Sequence, residues 1–239
     1  MSRFALVTGA DRGLGLELVK KLLSNGYNVF AGRYLTNYKE LDNLKEENAD
    51  NLHIIDLDIS NLESVKNARG VIENVTDKLD LIVNNGAILG DIEKTIEDEL
   101  DFEEIEKVIS VNAVGPLRVI NVFMKLLTNG DKKLIVNISS EAGSISNSNR
   151  TGWFAYCMSK AALNMESTII NNSFKEKGGQ VLAIHPGWMR TYMRDKLDSE
   201  APLTPEYSAD HICNIILDSD KFKADKAVYM DYEGNLMEW

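Results

Sequence analysis

Apolar runs of strand length recur along the chain at Phe4–Val7, Tyr27–Ala31, His53–Leu57, Leu79–Val83, Lys133–Ile138, Val181–Ile184 and Ala227–Met230. Short, continuous apolar runs of this kind mark strands covered on both faces, as in a parallel sheet. Between them the apolar positions fall at helical spacing, with Leu14, Leu18 and Leu22 ahead of the second run and Leu62, Val65, Ala68 and Ile72 ahead of the fourth. Residues so spaced share one face of a helix. The two longest periodic stretches, Asp101–Leu127 and Trp153–Phe174, predict the two longest helices. Strand and helix alternate throughout, and right-handed crossovers then give an α/β doubly wound parallel sheet of about seven strands with helices on both faces.

No Ser/Gly-rich linker or internal repeat divides the pattern, so residues 1–239 read as a single domain. Gly178–Gly179 marks a helix stop before the sixth strand. The segment Gly187–Thr204 is expected to be the one long loop after a strand, a length usual for a substrate loop. Its Trp188, Met189, Tyr192 and Met193 suit either an apolar wall and lid or an anchor to the core. The acidic stretch Asp91–Glu106 reads as a solvated helix face with its approach loop.

Charge and composition narrow the partners. A formal net charge of −11 disfavours a nucleic-acid backbone, which needs clustered Lys and Arg. The longest apolar runs fall short of the ~18 residues that cross a bilayer, so no membrane span is expected. Cys157 and Cys213 are too few for a disulfide framework, and His53, His185 and His211 lack ligand spacing, so no metal is expected. The N-terminal MSRFALVTGA runs straight into a Gly-rich turn rather than a cleavage site, and a reducing, cytoplasmic setting fits.

Candidate chemistry begins directly after the first strand. TGADRGLG places Gly9, Arg12, Gly13, Leu14 and Gly15 where a turn opens the first helix. Glycine there lets backbone amides approach a pyrophosphate, and the helix N-terminus favours the anion. The second strand ends AGRYLTN, with Arg33 where many NAD-binding folds carry a ribose-binding carboxylate. Arg33 and Arg12 would suit a 2′-phosphate, which favours NADP(H).

Tyr156 and Lys160 lie four apart and share a helix face if Trp153–Phe174 is helical. A cation one turn away would draw the phenol pKa down from about 10. The fifth strand ends NISS, placing Ser139 and Ser140 at the C-terminal sheet edge where open α/β folds bind ligands; a hydroxyl of either could hold a carbonyl. The fourth strand ends VNNGA at the same edge, and Asn112 interrupts an apolar helical stretch, which asks for a partner for its amide.

With these motifs in order, the chain resembles the short-chain dehydrogenase/reductase family over essentially its whole length, most closely the C-factor and sniffer-like carbonyl reductases. TGADRGLG matches the coenzyme turn, LDIS the segment of Asp58 and Ile59 at the adenine, and NNGA, with Asn84 and Gly86, the family's NNAG. YCMSK matches its YxxxK, and HPGWMRT, with Pro186, Gly187 and Thr191, the segment lining the nicotinamide. The resemblance implies a Rossmann-type fold that binds NADP(H) and interconverts a carbonyl and an alcohol. Tyr156 would be the general acid, Lys160 would lower its pKa and bond the nicotinamide ribose, Ser140 would orient the carbonyl, and Asn112 would hold a relay water. The alternative is a coenzyme-binding sensor with little turnover. Apolar Ala161, Leu163, Met165, Ile169 and Ile170 cover more than one side of the Tyr156 helix, which suggests a homodimer or homotetramer.

Overall fold

The computed structural model describes residues 2–193 and 197–239. Seven parallel strands form one sheet: β1 (Arg3–Thr8), β2 (Tyr27–Arg33), β3 (Leu52–Asp56), β4 (Leu81–Asn84), β5 (Leu134–Ile138), β6 (Gln180–His185) and β7 (Val228–Asp231), in the spatial order β3-β2-β1-β4-β5-β6-β7. All seven predicted runs are strands. The order reverses between β1 and β4, whose Val7 and Val83 are in register, and a reversal of this kind opens a crevice at the C-terminal edge.

The pleat sorts the strand residues between two cores. Ala5, Val7, Leu81, Val83, Leu134 and Val136 face α1 (Gly13–Ser24), α2 (Glu40–Glu47) and α7 (Pro205–Leu217). The residues between them, Leu6, Ile82 and Ile135, face α3 (Leu62–Glu73), α5 (Gly115–Asn129) and α6 (Phe154–Phe174). Each fully buried Leu, Ile or Phe contributes roughly 1.5–3 kcal/mol, so both layers are held by the same period-two pattern. Side-chain caps set several helix starts: Asn61 accepts from the amides of Glu63 and Ser64, and Thr204 from that of Tyr207. Gly178 takes the left-handed φ of +77° at the predicted stop.

Two expectations need correction. The stretch Asp101–Leu127 is not one regular helix: α4 (Phe102–Ile109) passes through a π turn, Ser110–Val114, before α5. The cause lies at Asn112, whose side chain accepts from Ile88 N (2.8 Å) and donates to Ile88 O (2.7 Å) and Ser159 Oγ (3.1 Å). These bonds hold the turn open by one residue. The rod Phe102–Asn129 is also long and apolar enough to cross a bilayer by composition alone, although no single apolar run is; half of its most apolar window is buried within the fold.

Nor is 187–204 the one long loop. Residues 85–101 and 139–153 also lack regular helix or strand, apart from the short 3-10 turn Glu141–Gly143. In the first of these, carboxylates take the amides that a helix would use: Asp91 accepts from Glu93 N and Lys94 N, and Asp98 from Thr95 N and Oγ1. Those hydrogen bonds hold both carboxyls below the usual range.

Candidate active site

A cleft of about 1090 Å³ runs along the C-terminal edge of the sheet. One half is built by the glycine turn. Gly9 and Gly13 adopt positive φ of 61° and 55°, and a Cβ on Gly9 would stand 2.7 Å from Gly86 Cα. A Cβ on Gly15 would stand 2.1 Å from Gly9 O, so Gly15 serves the packing of the turn and does not line the cleft. Gly9, Arg12, Gly13, Leu14, Asp58, Ile59, Gly86, Pro186, Gly187 and Thr191 all line it. Asp58 is held by Ser60, whose N and Oγ donate to it at 2.8 and 2.6 Å.

Arg33 and Asn84 are not at the cleft. The Arg33 guanidinium turns to β3 and α2, pairing with Asp56 (3.0 Å) and Asp42 (3.1 Å), so its charge is already matched by two carboxylates. Arg12 alone of the two predicted arginines faces the cleft, its guanidinium lying over the Tyr38 ring and donating to the Tyr38 hydroxyl. Asn84 is buried and donates to Asn137 Oδ1 (2.8 Å), while Asn137 donates to Ser167 Oγ (2.8 Å). Its neighbour Asn85 takes the position at the turn, donating to the carbonyls of Thr8 (3.0 Å) and Gly9 (2.9 Å). The NN doublet was the sequence signal; the pleat decides which asparagine faces which way.

The other half gathers Ser140, Tyr156 and Lys160. Tyr156 and Lys160 project from the inner face of α6, with the lysine Nζ 5.6 Å from the centre of the tyrosine ring. Lys160 donates to Ile138 O (2.8 Å) at the end of β5. The Ser140 hydroxyl, which accepts from Ala142 N (3.2 Å), shares the cleft with the Tyr156 phenol and acts to lower its pKa. Ser139 is 1% exposed and donates to Asn164 Oδ1 (2.6 Å), so Ser140 is the serine at the phenol. Asn112 lies one layer behind, with its amide spent on Ile88 and Ser159.

The expected electrostatics is not what the cleft shows. Burial pushes Tyr156 up to about 12, against the influence of the Ser140 hydroxyl, and Glu141 pushes it the same way as burial. Burial draws Lys160 down to about 8, against the charge of Glu166. The amine beside it does not overcome the cost of burying the phenolate.

Several lining residues were not anticipated. Glu141 pairs with Arg150 (2.7 Å), and Arg150 lies over Trp153, whose ring packs edge-on against Tyr156. His185 Nδ1 accepts from Glu141 N (3.2 Å), leaving its proton on Nε2. In the loop 187–204, Arg190 N donates to Leu203 O (2.9 Å) and Trp188 Nε1 to Asp198 Oδ2 (2.8 Å). Trp188, Tyr192 and Met193 line the cleft, while Met189 both lines it and packs on the core; residues 194–196 of the expected substrate loop lie outside the described residues.

The fold and site are matched by known proteins. Residues 3–202 match the family model described as short chain dehydrogenase. An uncharacterized oxidoreductase of Schizosaccharomyces pombe is 32% identical over 96% of this chain and 94% of its own. Among solved structures, the carbonyl reductase Sniffer of D. melanogaster superposes with a TM-score of 0.89 at 27% identity, covering all of both chains. An NADPH-bound carbonyl reductase from chicken fatty liver gives 0.85 at 29% identity, over 100% of this chain and 99% of that one. A short-chain dehydrogenase/reductase from Burkholderia multivorans with bound NADP gives 0.86 at 27% identity, covering all of both chains. The doubly wound sheet with its glycine turn defines a dinucleotide-binding oxidoreductase class. Within that class, this chain belongs to the short-chain dehydrogenase/reductase family.

Proposed function

We propose that the chain is an NADP(H)-dependent carbonyl reductase-like enzyme, with Tyr156 as its general acid and base. The observation that carries this reading is the convergence of Ser140, Tyr156 and Lys160 in one cleft with the glycine turn. A dinucleotide fits the residues present. Gly9 and Gly13 leave a cradle that a Cβ would obstruct or strain, α1 turns its N-terminus to it, and Arg12 offers a guanidinium for a 2′-phosphate. When bound, NADPH would supply the hydride. The NADP and NADPH held by two structural relatives support that coenzyme.

In this reading the Ser140 hydroxyl holds the substrate oxygen and the Tyr156 phenol gives it a proton. Hydride addition at carbon then completes the alcohol. Lys160 supports the phenol from one turn away, and Asn112 positions α6 by bonding Ser159 behind it. Glu141, Arg150, Trp153 and Trp188 form the substrate end.

The test is NADPH consumption with a panel of aldehydes and ketones. Wild type should turn over, and Tyr156→Phe should lose about 10²–10⁴-fold in kcat, the usual worth of a positioned proton donor. Equal rates in the two proteins would remove Tyr156 from the chemistry. Tight NADPH binding without turnover of any carbonyl would favour a coenzyme sensor.

A further inference from the structure

We propose that Tyr229, on the edge strand β7, is a positioning residue that sets Ser140 against Tyr156. The inference rests on the roles given to those two residues above. Tyr229 is 2% exposed, and its hydroxyl donates to Ser140 O at 2.6 Å. The same carbonyl accepts from Gly143 N at 2.9 Å, so both of its acceptor positions are filled. Behind the same segment lies Asn164 on α6, one turn beyond Lys160. Asn164 accepts from Ser139 Oγ (2.6 Å) and donates to Gly143 O (3.2 Å). The Tyr229 phenol and the Asn164 amide thus tie β7, the segment after β5 and the helix of Tyr156 together.

The grip has a second point. The Tyr229 ring packs on Trp239 at 5.1 Å, and Trp239 O accepts from Ser146 N (3.2 Å) and Ser146 Oγ (2.8 Å). The segment 140–146 is held from behind at both ends. A position this well buried would pack a phenylalanine equally well, without the cost of desolvating a hydroxyl. What the hydroxyl adds is orientation. Ser140 Oγ can be drawn to Ala142 N, from which it accepts at 3.2 Å, or to the Tyr156 phenol, and the backbone direction at residue 140 decides how it serves both.

The experiment is a double-mutant cycle between Tyr229→Phe and Ser140→Ala. Tyr229→Phe should lower kcat for carbonyl reduction about tenfold, the scale of one hydrogen bond, and leave the KM for NADPH unchanged. In the Ser140→Ala background it should change nothing further. Wild-type kcat in Tyr229→Phe, or an equal loss in both backgrounds, overturns the proposal. A second readout needs no turnover: the ¹³Cζ resonance of Tyr156, identified by its loss in Tyr156→Phe, should move in Tyr229→Phe in the direction it moves in Ser140→Ala. An unmoved resonance overturns the proposal even if the enzyme reduces no carbonyl, so this failure is distinguishable from failure of the proposed activity. Should Tyr229→Phe not fold, Trp239→Leu, at a residue 40% exposed against the Tyr229 ring, is carried through the same cycle and judged by the same outcomes.

Discussion

The Lys160 nitrogen stands 5.6 Å from the centre of the Tyr156 ring, yet burial moves the two groups in opposite directions, the phenol up to about 12 and the amine down to about 8. The phenol is therefore neutral, and ready to donate, across the physiological range. The charges that change near pH 8 are those of Lys160 and of its neighbour Glu166, whose carboxyl burial raises to about 8. The kcat/KM for carbonyl reduction is expected to hold steady below about pH 7 and to fall above about pH 8 as the ammonium loses its proton. Lys160→Arg, which stays charged, should carry that limb more than one unit higher. A limb that does not respond to the substitution would show that another group titrates.

The same shift has a consequence for stability. A lysine whose folded pKa lies below its ordinary value favours the native state at high pH, and that contribution is lost as pH falls through about 8, where the buried amine must carry charge. Lys160→Met should therefore raise Tm by several degrees near pH 6.5 and by little near pH 10. Thermal melts at the two pH values check this; equal gains at both would contradict it.

Coenzyme preference separates the two arginines. Arg12→Ala is expected to weaken NADPH by roughly 10–100-fold with little change in NADH, the scale of charge-assisted hydrogen bonds to a phosphate. Arg33→Ala should affect the two coenzymes alike, because its guanidinium is held by Asp42 and Asp56. Fluorescence titration of each variant with both coenzymes measures this. Selective loss of NADPH in Arg33→Ala would reinstate the sequence expectation.

The apolar residues of α6 divide between two surroundings. Leu163 and Ile170 are buried, whereas Met158, Met165 and Ile169 are more than half exposed, and the preceding rod also leaves Val114 and Leu117 exposed. We propose that a second copy of the chain covers this face, since both helices expose apolar side chains. Sedimentation should find a homo-oligomer for wild type and a monomer for Met165→Lys combined with Ile169→Lys. A wild-type monomer at micromolar concentration would end the idea.

Much of this molecule was legible in one dimension because its determinants are local. Strand runs, helical spacing, the glycine turn and the Tyr156–Lys160 interval each depend on residues within a few positions of one another, and backbone periodicity converts those intervals into shared faces. What escaped depends on partners brought from elsewhere. Asn84 and Asn85 are neighbours in sequence, but the pleat sends one into the interior and the other to the glycine turn. Arg33 was a credible phosphate ligand until β3 and α2 delivered Asp56 and Asp42 to it. Asn112 opened a π turn because Ile88 and Ser159 were there to bond it.

The sequence alone determined the alternation of strands and helices along the chain, the family-like motifs and the placing of Tyr156 and Lys160 on one helix face. Only the tertiary structure decided which arginine faces the cleft, which serine meets the phenol, and that Tyr229, 89 positions away, reaches Ser140. The physical reason is that hydrogen bonds and desolvation act over a few ångströms of space, and spacing along the chain measures that distance only inside a single helix or strand.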